Sequence, residues 1–123
     1  MSKANCWKWF RLYILATKGC KCVQCGKTTE EAIIQAGHVI TKSYGNIYYF
    51  NRFDVFPQCS YHNSLHNRDN IPYFAWYRNT FGDKRLDRLY ELRHKKIKWV
   101  GYEARTKRYK KIVEQLKGKN WKP

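Results

Sequence analysis

Two pairs of potential metal ligands constrain the fold of this chain more than any other feature of its sequence. The first pair is Cys22 and Cys25, and the second is Cys59 and His62, with two residues between the members of each pair. Three thiolates and one imidazole can complete a tetrahedral zinc site. One zinc ion bound by both pairs would join two distant parts of the chain, so we expect a structural zinc centre that holds a small domain together.

The other two cysteines have different expected roles. Cys6 falls in a predicted helix, where we expect an ordinary packing role. Cys20 lies two residues before Cys22 and could replace it as a zinc ligand, and the spacing leaves both choices open. No apolar run is long enough to span a bilayer, and the first apolar segment lacks the pattern of a signal peptide. We therefore expect a cytoplasmic protein whose cysteines bind metal rather than form disulfides.

The composition predicts a polyanionic partner. The chain has 25 Lys and Arg residues against 9 Asp and Glu residues, which gives a formal net charge of +16. So much positive charge on a small chain repels itself and favours binding to nucleic acid. Aromatic residues make up 17% of the sequence, and several alternate with basic ones. Such alternation suits phosphate neutralisation combined with base stacking, whereas the alternative is an aromatic core beneath a solvated basic face.

The length of the chain allows one domain, 1–123, with one modest core. Hydrophobic periodicity, capping residues and turn signals predict an N-terminal helix, two β-prone runs and a helical second half. The domain then consists of the N-terminal helix, a zinc-bound core over 20–68 and a basic helical part over 69–118. The predicted helical segments are 3–18, a short turn at 30–35, 60–67, 70–80, 84–95 and 102–117, the last ended by Gly118, and the β-prone runs are 38–41 and 47–50.

Four residues near the zinc ligands suit phosphodiester hydrolysis, which needs a base for water, a hard cation on the phosphate and positive charge to hold the substrate. His38 lies between the two ligand pairs and could be the base, since a neutral imidazole can take a proton from water. Asn63 could bind Mg²⁺ or Mn²⁺ through its amide oxygen. His66, on the same helix face, could bind that ion or a phosphate. Asp54 could hold the base and its loop in place.

Three of these assignments have a stated alternative. His38 could be an ordinary buried histidine, and Asn63 could serve only as a helix cap. His66 could contact DNA from the surface. His94 lies within a run of basic residues, and we expect it to belong to a basic face with no further role.

The motifs around these residues resemble those of the NinG (Rap) family of lambdoid-phage recombination proteins, over roughly residues 20–117. The resemblance implies an α+β, mainly helical fold with a zinc-stapled ββα-metal (HNH-like) core, an N-terminal helix and C-terminal helices. It also implies an endonuclease that acts on branched DNA such as a Holliday junction or a D-loop. The matching segments are Cys22–Thr29, Ala36–His38, Arg52–Phe53, Gln58–Asn63, Asn70–Tyr73, Phe81–Gly82 and Leu86–Leu89.

The sequence departs from the family pattern in several places. His62 stands where the family usually has a fourth cysteine, Asp54 where asparagine is usual, and His66 where a lysine-like residue is usual. Arg68 and Asp69 replace a turn that resembles Ser-Gly-Asn in the family. Gly37 agrees with the family but replaces the metal-binding aspartate that precedes the base in many HNH enzymes. The usual second ligand of the catalytic metal is therefore absent, and we expect Asn63 to hold the ion with help from His66 or Asp54.

Three functions are compatible with these observations. The leading one is a structure-selective endonuclease that nicks branched DNA in phage recombination, with structural Zn²⁺ and catalytic Mg²⁺ or Mn²⁺. Such an enzyme would act as a homodimer, and the aromatic residues of the first helix suggest it as the interface. The second is a catalytically inactive zinc-stapled nucleic-acid-binding protein. The third, less favoured because no base-reading module is recognisable, is a sequence-specific nicking or homing-type HNH enzyme.

Overall fold

The computed structural model describes residues 2–116, so the predicted helix end at Gly118 lies outside the described residues. The prediction of a mainly helical α+β fold is confirmed, with one small two-stranded sheet. Within the described residues the helices are α1 (Lys3–Lys18), α2 (Ser60–His66), α3 (Ile71–Phe81), α4 (Asp83–Glu91) and α5 (Tyr102–Leu116), and the strands are β1 (Ile34–His38) and β2 (Val55–Cys59). Single 3-10 turns lie at Lys42–Tyr44, Asn46–Tyr48 and Leu92–His94.

The first helix has the predicted bounds and packs against the last one. Ser2 caps its start by accepting a hydrogen bond from the Asn5 amide at 3.0 Å, and the chain leaves it at Gly19, whose φ of 98° suits glycine. Tyr13 of α1 and Tyr109 of α5 have ring centroids 5.1 Å apart. The aromatic residues that suggested α1 as a dimer interface are thus engaged within the chain, and dimer formation stays a prediction.

The strands lie elsewhere than the β-prone runs. β1 ends at His38, where the run 38–41 begins. The run 47–50 begins in the 3-10 turn Asn46–Tyr48 and continues as a turn instead of a strand. Because of this turn, Tyr48 packs in one hydrophobic cluster and Phe50 in another. In a strand, side chains two positions apart point to the same face and would pack in the same cluster.

β2 was missed as a strand for a physical reason. All five of its residues are buried, so it lacks the alternation of apolar and polar residues that marks a strand with one exposed face. It also contains Pro57, which cannot donate a ladder hydrogen bond and is tolerated here because each strand of a two-stranded sheet is an edge.

The helical turn expected over 30–35 is displaced toward the N-terminus. The amides of Glu31 and Ala32 both donate to the carbonyl of Thr28 at 3.0 Å, and the chain is already extended at Ile34. The Glu31 carboxylate accepts from the Thr28 amide at 3.3 Å, as the capping pattern predicted. A strand therefore follows the cap instead of a helix.

The antiparallel register of the sheet determines where the second ligand pair lies. Ile34 pairs with Cys59 and His38 pairs with Val55, so β2 ends at the predicted zinc ligand Cys59, beside the start of β1. α2 follows β2 without a connecting loop. One side of the sheet packs on α1 and α5 through Ala36 and Val55, and the other side contributes Phe56 to the cluster formed with α3 and α4.

Candidate functional site

The two predicted ligand pairs converge. The ligand atoms of Cys22, Cys25, Cys59 and His62 all lie within 4.8 Å of one another. The Cys25 and Cys59 Sγ atoms are 3.7 Å apart, and His62 Nδ1 lies 3.2 Å from Cys59 Sγ and 3.8 Å from Cys22 Sγ. Zn–S bonds of about 2.3 Å in a tetrahedral site place two sulfur atoms about 3.8 Å apart. The cluster therefore fits one tetrahedral zinc ion.

Local backbone structure brings each pair into position. A bridge between Lys21 and Thr28 closes the first loop, and Gly26, at φ 80°, donates its amide to the Cys22 carbonyl at 2.9 Å. The second pair spans the start of α2, where Cys59 is the N-cap and its Sγ accepts from the His62 amide at 3.4 Å. A thiolate at this position is favoured by the partial positive charge of the helix start.

The surroundings of the cluster shift the pKa values of two of its thiols in opposite directions. Burial alone would raise the pKa of the Cys22 thiol, but hydrogen bonds from the Cys59, Cys25 and Gln24 backbone lower it overall. Burial raises the pKa of Cys59, and the neighbouring thiols of Cys25 and Cys22 raise it further. Crowded thiolates repel one another, and a bound divalent cation removes that repulsion.

The choice between Cys20 and Cys22 is decided by the structure in favour of Cys22. Cys20 does not belong to the four-ligand cluster, and its Sγ lies 3.8 Å from the Leu15 carbonyl at the end of α1. Cys6 is fully buried in the cluster between α1 and α5, as expected of a packing residue.

His38 is held on the α1 side of the sheet. Its ring stacks on Trp7, with centroids 5.4 Å apart, and Nε2 lies 3.2 Å from the Tyr49 carbonyl. Because a carbonyl can only accept, Nε2 carries the proton of the neutral ring and the lone pair remains on Nδ1. Burial, and to a lesser extent the charge of Lys42, lowers the pKa of His38 to about 4, so the ring is neutral at pH 7.

Asn63 lies on the opposite side of the sheet from His38. Its Nδ2 donates to Gln35 Oε1 at 2.7 Å. Gln35 lies three positions before His38 in β1, so the two side chains point to opposite faces of the sheet. Successive side chains of a strand point to opposite faces. The structure therefore places Asn63 beside Gln35 and Gly37 and places His38 against α1.

Gln58 is a candidate functional residue that the sequence reasoning missed. Its Nε2 donates to Gln24 Oε1 at 2.6 Å, while its Oε1 is buried and has no hydrogen-bond partner among the described residues. A Cβ on Gly37 would lie 1.8 Å from this Oε1 and 2.9 Å from Asn63 Oδ1. Two amide oxygens thus converge over Gly37, in the space that an aspartate side chain would need. The sequence signal that could have identified Gln58 is its position directly before Cys59, in the segment Gln58–Asn63 that resembles the NinG family.

His66 is buried and not at the surface. Its Nε2 lies 2.7 Å from the Val39 carbonyl, and its Nδ1 has no hydrogen-bond partner within residues 2–116. Burial lowers its pKa, which keeps the ring neutral. It lines a cavity of about 370 Å³ together with Thr41, Ser43 and Asn70.

Asp54 is fully buried and has a structural contact. Its Oδ1 accepts from the Ile40 amide at 2.7 Å, and its Oδ2 has no hydrogen-bond partner within residues 2–116. Burial raises the pKa of this carboxyl well above its usual range, although the Ile40 amide and nearby Lys18 oppose the shift. The contact fixes the backbone two residues after His38, and the expected role of Asp54 in holding the base stays a prediction. His94 is exposed and lies 3.9 Å from Glu91.

Comparison with known families gives one decisive match. Residues 5–119 match the family described as Bacteriophage Lambda NinG protein. The chain belongs to the NinG family. The resemblance inferred from the motifs is thereby confirmed over nearly the whole length of the chain. No curated protein and no solved structure gave a significant match. Among the described residues of this NinG-family chain, no helix is both long enough and apolar enough to cross a membrane.

Zinc content tests the metal centre. The wild-type chain should hold about one zinc ion, and Cys59→Ala should lose both the metal and its cooperative unfolding transition, because structural zinc contributes about 10–16 kcal/mol to folding. Cys20→Ala is the matched control and should keep the metal. The measurements are metal analysis by mass spectrometry and thermal unfolding by circular dichroism. Full zinc content in Cys59→Ala, or zinc loss in Cys20→Ala, would contradict the ligand set.

Substitution of Asp54 separates its hydrogen bond from its charge. Asp54→Asn keeps an acceptor for the Ile40 amide, whereas Asp54→Ala leaves that buried amide unpaired and should cost about 1–3 kcal/mol. The folded state holds the Asp54 proton at pH values where the unfolded state has lost it. Wild-type stability relative to Asp54→Asn should therefore fall as pH rises above 3.8. Denaturant unfolding at several pH values measures both effects, and equal destabilisation by Asn and Ala would refute the role.

Proposed function

We propose that this NinG-family chain is a metal-dependent, structure-selective endonuclease that cuts branched DNA, such as a Holliday junction or a D-loop, in phage recombination. The observation that carries the proposal is the order β1, β2, α2 with the predicted zinc ligands at the junction of strand and helix. Asn63 follows the last of these ligands directly. Two antiparallel strands and a helix joined by zinc are the arrangement expected of an HNH-like core.

The catalytic cation has two candidate oxygen ligands in Asn63 Oδ1 and Gln58 Oε1. Their amide nitrogens are both occupied by hydrogen bonds to glutamine oxygens, which orients the carbonyl oxygens over Gly37. Mg²⁺ and Mn²⁺ prefer oxygen ligands and usually take part of their shell from substrate phosphates. When bound, the cation supplies Lewis-acid stabilisation of the phosphate. His66 Nδ1 is a further candidate ligand for this ion or contact for a phosphate.

His38 is the proposed base. The Tyr49 carbonyl fixes its tautomer and leaves the lone pair on Nδ1. At a pKa of about 4 this nitrogen is a weak base, and negative phosphates bound beside it would raise that pKa. His38 is the last residue of β1 on the α1 side, while Asn63 lies on the α2 side. The proposal therefore requires the scissile phosphate to lie across the end of β1. The net charge of +16 would hold the DNA, and binding should weaken steeply as salt rises.

One observation favours the alternative of a catalytically inactive, zinc-bound nucleic-acid-binding protein. No carboxylate is seen beside Asn63 within residues 2–116, because Asp54 is buried against Ile40 and Gln58 fills the space beside Gly37. The proposed cation site is therefore electrically neutral before DNA binds. The alternative predicts the same salt-dependent DNA binding with no cleavage in either metal.

Cleavage of a labelled four-way junction tests the proposal. Wild type should nick the junction near its branch in Mg²⁺ or Mn²⁺, should spare a linear duplex of the same sequence, and should be inactive when no divalent ion is added. Omission of the ion is preferable to EDTA, which would also remove zinc. His38→Ala should lower the single-turnover rate about 100-fold or more. His94→Ala, an exposed histidine, is the control, and junction binding without nicks would support the inactive alternative.

Gln58→Met tests the second cation ligand. Methionine keeps the length of the side chain but replaces the amide oxygen with a thioether, which is a poor ligand for a hard cation. The Mn²⁺ concentration for half-maximal cleavage should rise, and excess Mn²⁺ should restore much of the rate. Zinc content and junction affinity without Mn²⁺ should stay unchanged. An unaltered Mn²⁺ dependence would remove Gln58 from the ligand set.

A further inference from the structure

Three adjoining cavities form a continuous surface on the described part of the chain, and none of the residues assigned to cleavage lines them. Their volumes are about 530, 530 and 410 Å³. Phe53 lines all three, Arg52 lines the first two, and Arg85 lines the last two. We call this surface the arginine–aromatic track. Its arginines are Arg52, Arg85, Arg88, Arg105 and Arg108.

The charge of the track has one sign. No aspartate or glutamate lines any of the three cavities, and none of the five arginines has an ion pair within residues 2–116. Folding rarely places several guanidinium groups together without acidic partners, because their mutual repulsion destabilises the compact state. The track is therefore complementary to an anion that approaches from outside the chain.

Several of these guanidinium groups are stacked on aromatic rings. The Arg85 guanidinium carbon lies 4.2 Å from the Phe81 ring centroid, and that of Arg105 lies 4.5 Å from Trp99. The Arg52 guanidinium lies 4.9 Å from Phe53. Stacking restricts the long side chains. The Arg105 Nε donates to the Val100 carbonyl at 3.4 Å, but a guanidinium has five N–H donors, so further N–H groups remain for phosphate oxygens. The arginines are thus partly preorganised for an anionic ligand.

Phe53 is an exposed aromatic ring at the centre of the track. Its exposed fraction is 48%, although it follows directly after Arg52 and precedes the buried Asp54. The Phe53 amide donates to Asn51 Oδ1 at 3.0 Å, which fixes the turn that projects the ring. A large apolar side chain held outward at the junction of three cavities is a suitable platform for a planar ligand.

We propose that the arginine–aromatic track binds a single strand of DNA, with bases stacked on Phe53 and its neighbouring rings and phosphates bound by the arginines. Each base has a face that can stack on an aromatic ring, and each nucleotide carries one phosphate. A duplex presents base edges in its grooves and keeps the faces stacked inside, so it would use the arginines but not the rings. Concave, aromatic-lined cavities are therefore better matched to unpaired nucleotides.

This inference rests on the proposed DNA-binding function but not on cleavage. Branched recombination intermediates contain unpaired strands, as a D-loop does. A track specific for unpaired nucleotides would bind the single-stranded part of such a substrate. Loss of the track should reduce affinity for single strands while zinc content stays unchanged.

Fluorescence anisotropy with a fluorescein-labelled oligothymidylate, without added divalent ion, tests the track. Phe53→Ala should weaken binding about fivefold or more, because stacking is worth about 1–3 kcal/mol per base. Ile71→Ala, which removes a side chain 70% exposed on α3, is the matched control and should bind as wild type does. A linear duplex of equal charge should lose little affinity in Phe53→Ala. Equal losses for duplex and single strand, or no loss for either, would overturn the assignment to unpaired bases.

The salt dependence of binding distinguishes phosphate binding by the arginines from base stacking on Phe53. Arg105→Ala should reduce the slope of log affinity against log salt concentration by about 0.7, the value for one phosphate contact on a single strand. Phe53→Ala should leave that slope unchanged. Photocrosslinking of bromodeoxyuridine-containing strands should label Phe53 or Trp99, with the labelled residue located by fragmentation of the tryptic peptides 53–68 and 99–105. Crosslinks confined to residues outside the track would refute it even if junction cleavage were intact.

Discussion

The convergence of three thiols and one imidazole within 4.8 Å is the constraint on which the rest of this small structure depends. The cluster joins a loop that follows α1 to the junction of β2 and α2. The sheet has only two strands, and an isolated two-stranded sheet is marginal in water. A zinc ion bound to the four ligands would fix the sheet, the helix and the loop in one arrangement. Sheet register and the position of Asn63 both follow from that arrangement.

Buried polar groups around the sheet have a common pattern, because each is held by one hydrogen bond and leaves one atom without a described partner. Asp54 uses one oxygen for the Ile40 amide, Gln58 uses its nitrogen for Gln24, and His66 uses Nε2 for the Val39 carbonyl. Such groups are costly unless they serve a ligand, water or a structural purpose. For Gln58 and His66 the proposed purpose is substrate or cation binding, whereas Asp54 supports the loop after His38.

Two regions of the chain have different chemistry in this proposal. The region of Gln58, Asn63 and His66 offers neutral oxygen and nitrogen ligands, and the arginine–aromatic track offers positive charge and stacking surfaces. A neutral cation site gains charge only when DNA phosphates arrive, so metal binding and DNA binding would be coupled. The NinG family match agrees with a role in phage DNA metabolism and leaves the chemistry to be decided by cleavage and binding experiments.

The sequence by itself determined the zinc ligand pairs, the bounds of α1 and the mainly helical fold, because ligand spacing, caps and helical periodicity are local signals. Only the tertiary structure showed where the strands lie. β2 is buried on both faces, and Tyr48 and Phe50 of the run 47–50 pack in two different clusters. The tertiary structure also chose Cys22 over Cys20, separated His38 from Asn63 and brought Gln58 beside Gly37. These outcomes depend on strand register and on which face a side chain occupies, and no local spacing encodes either.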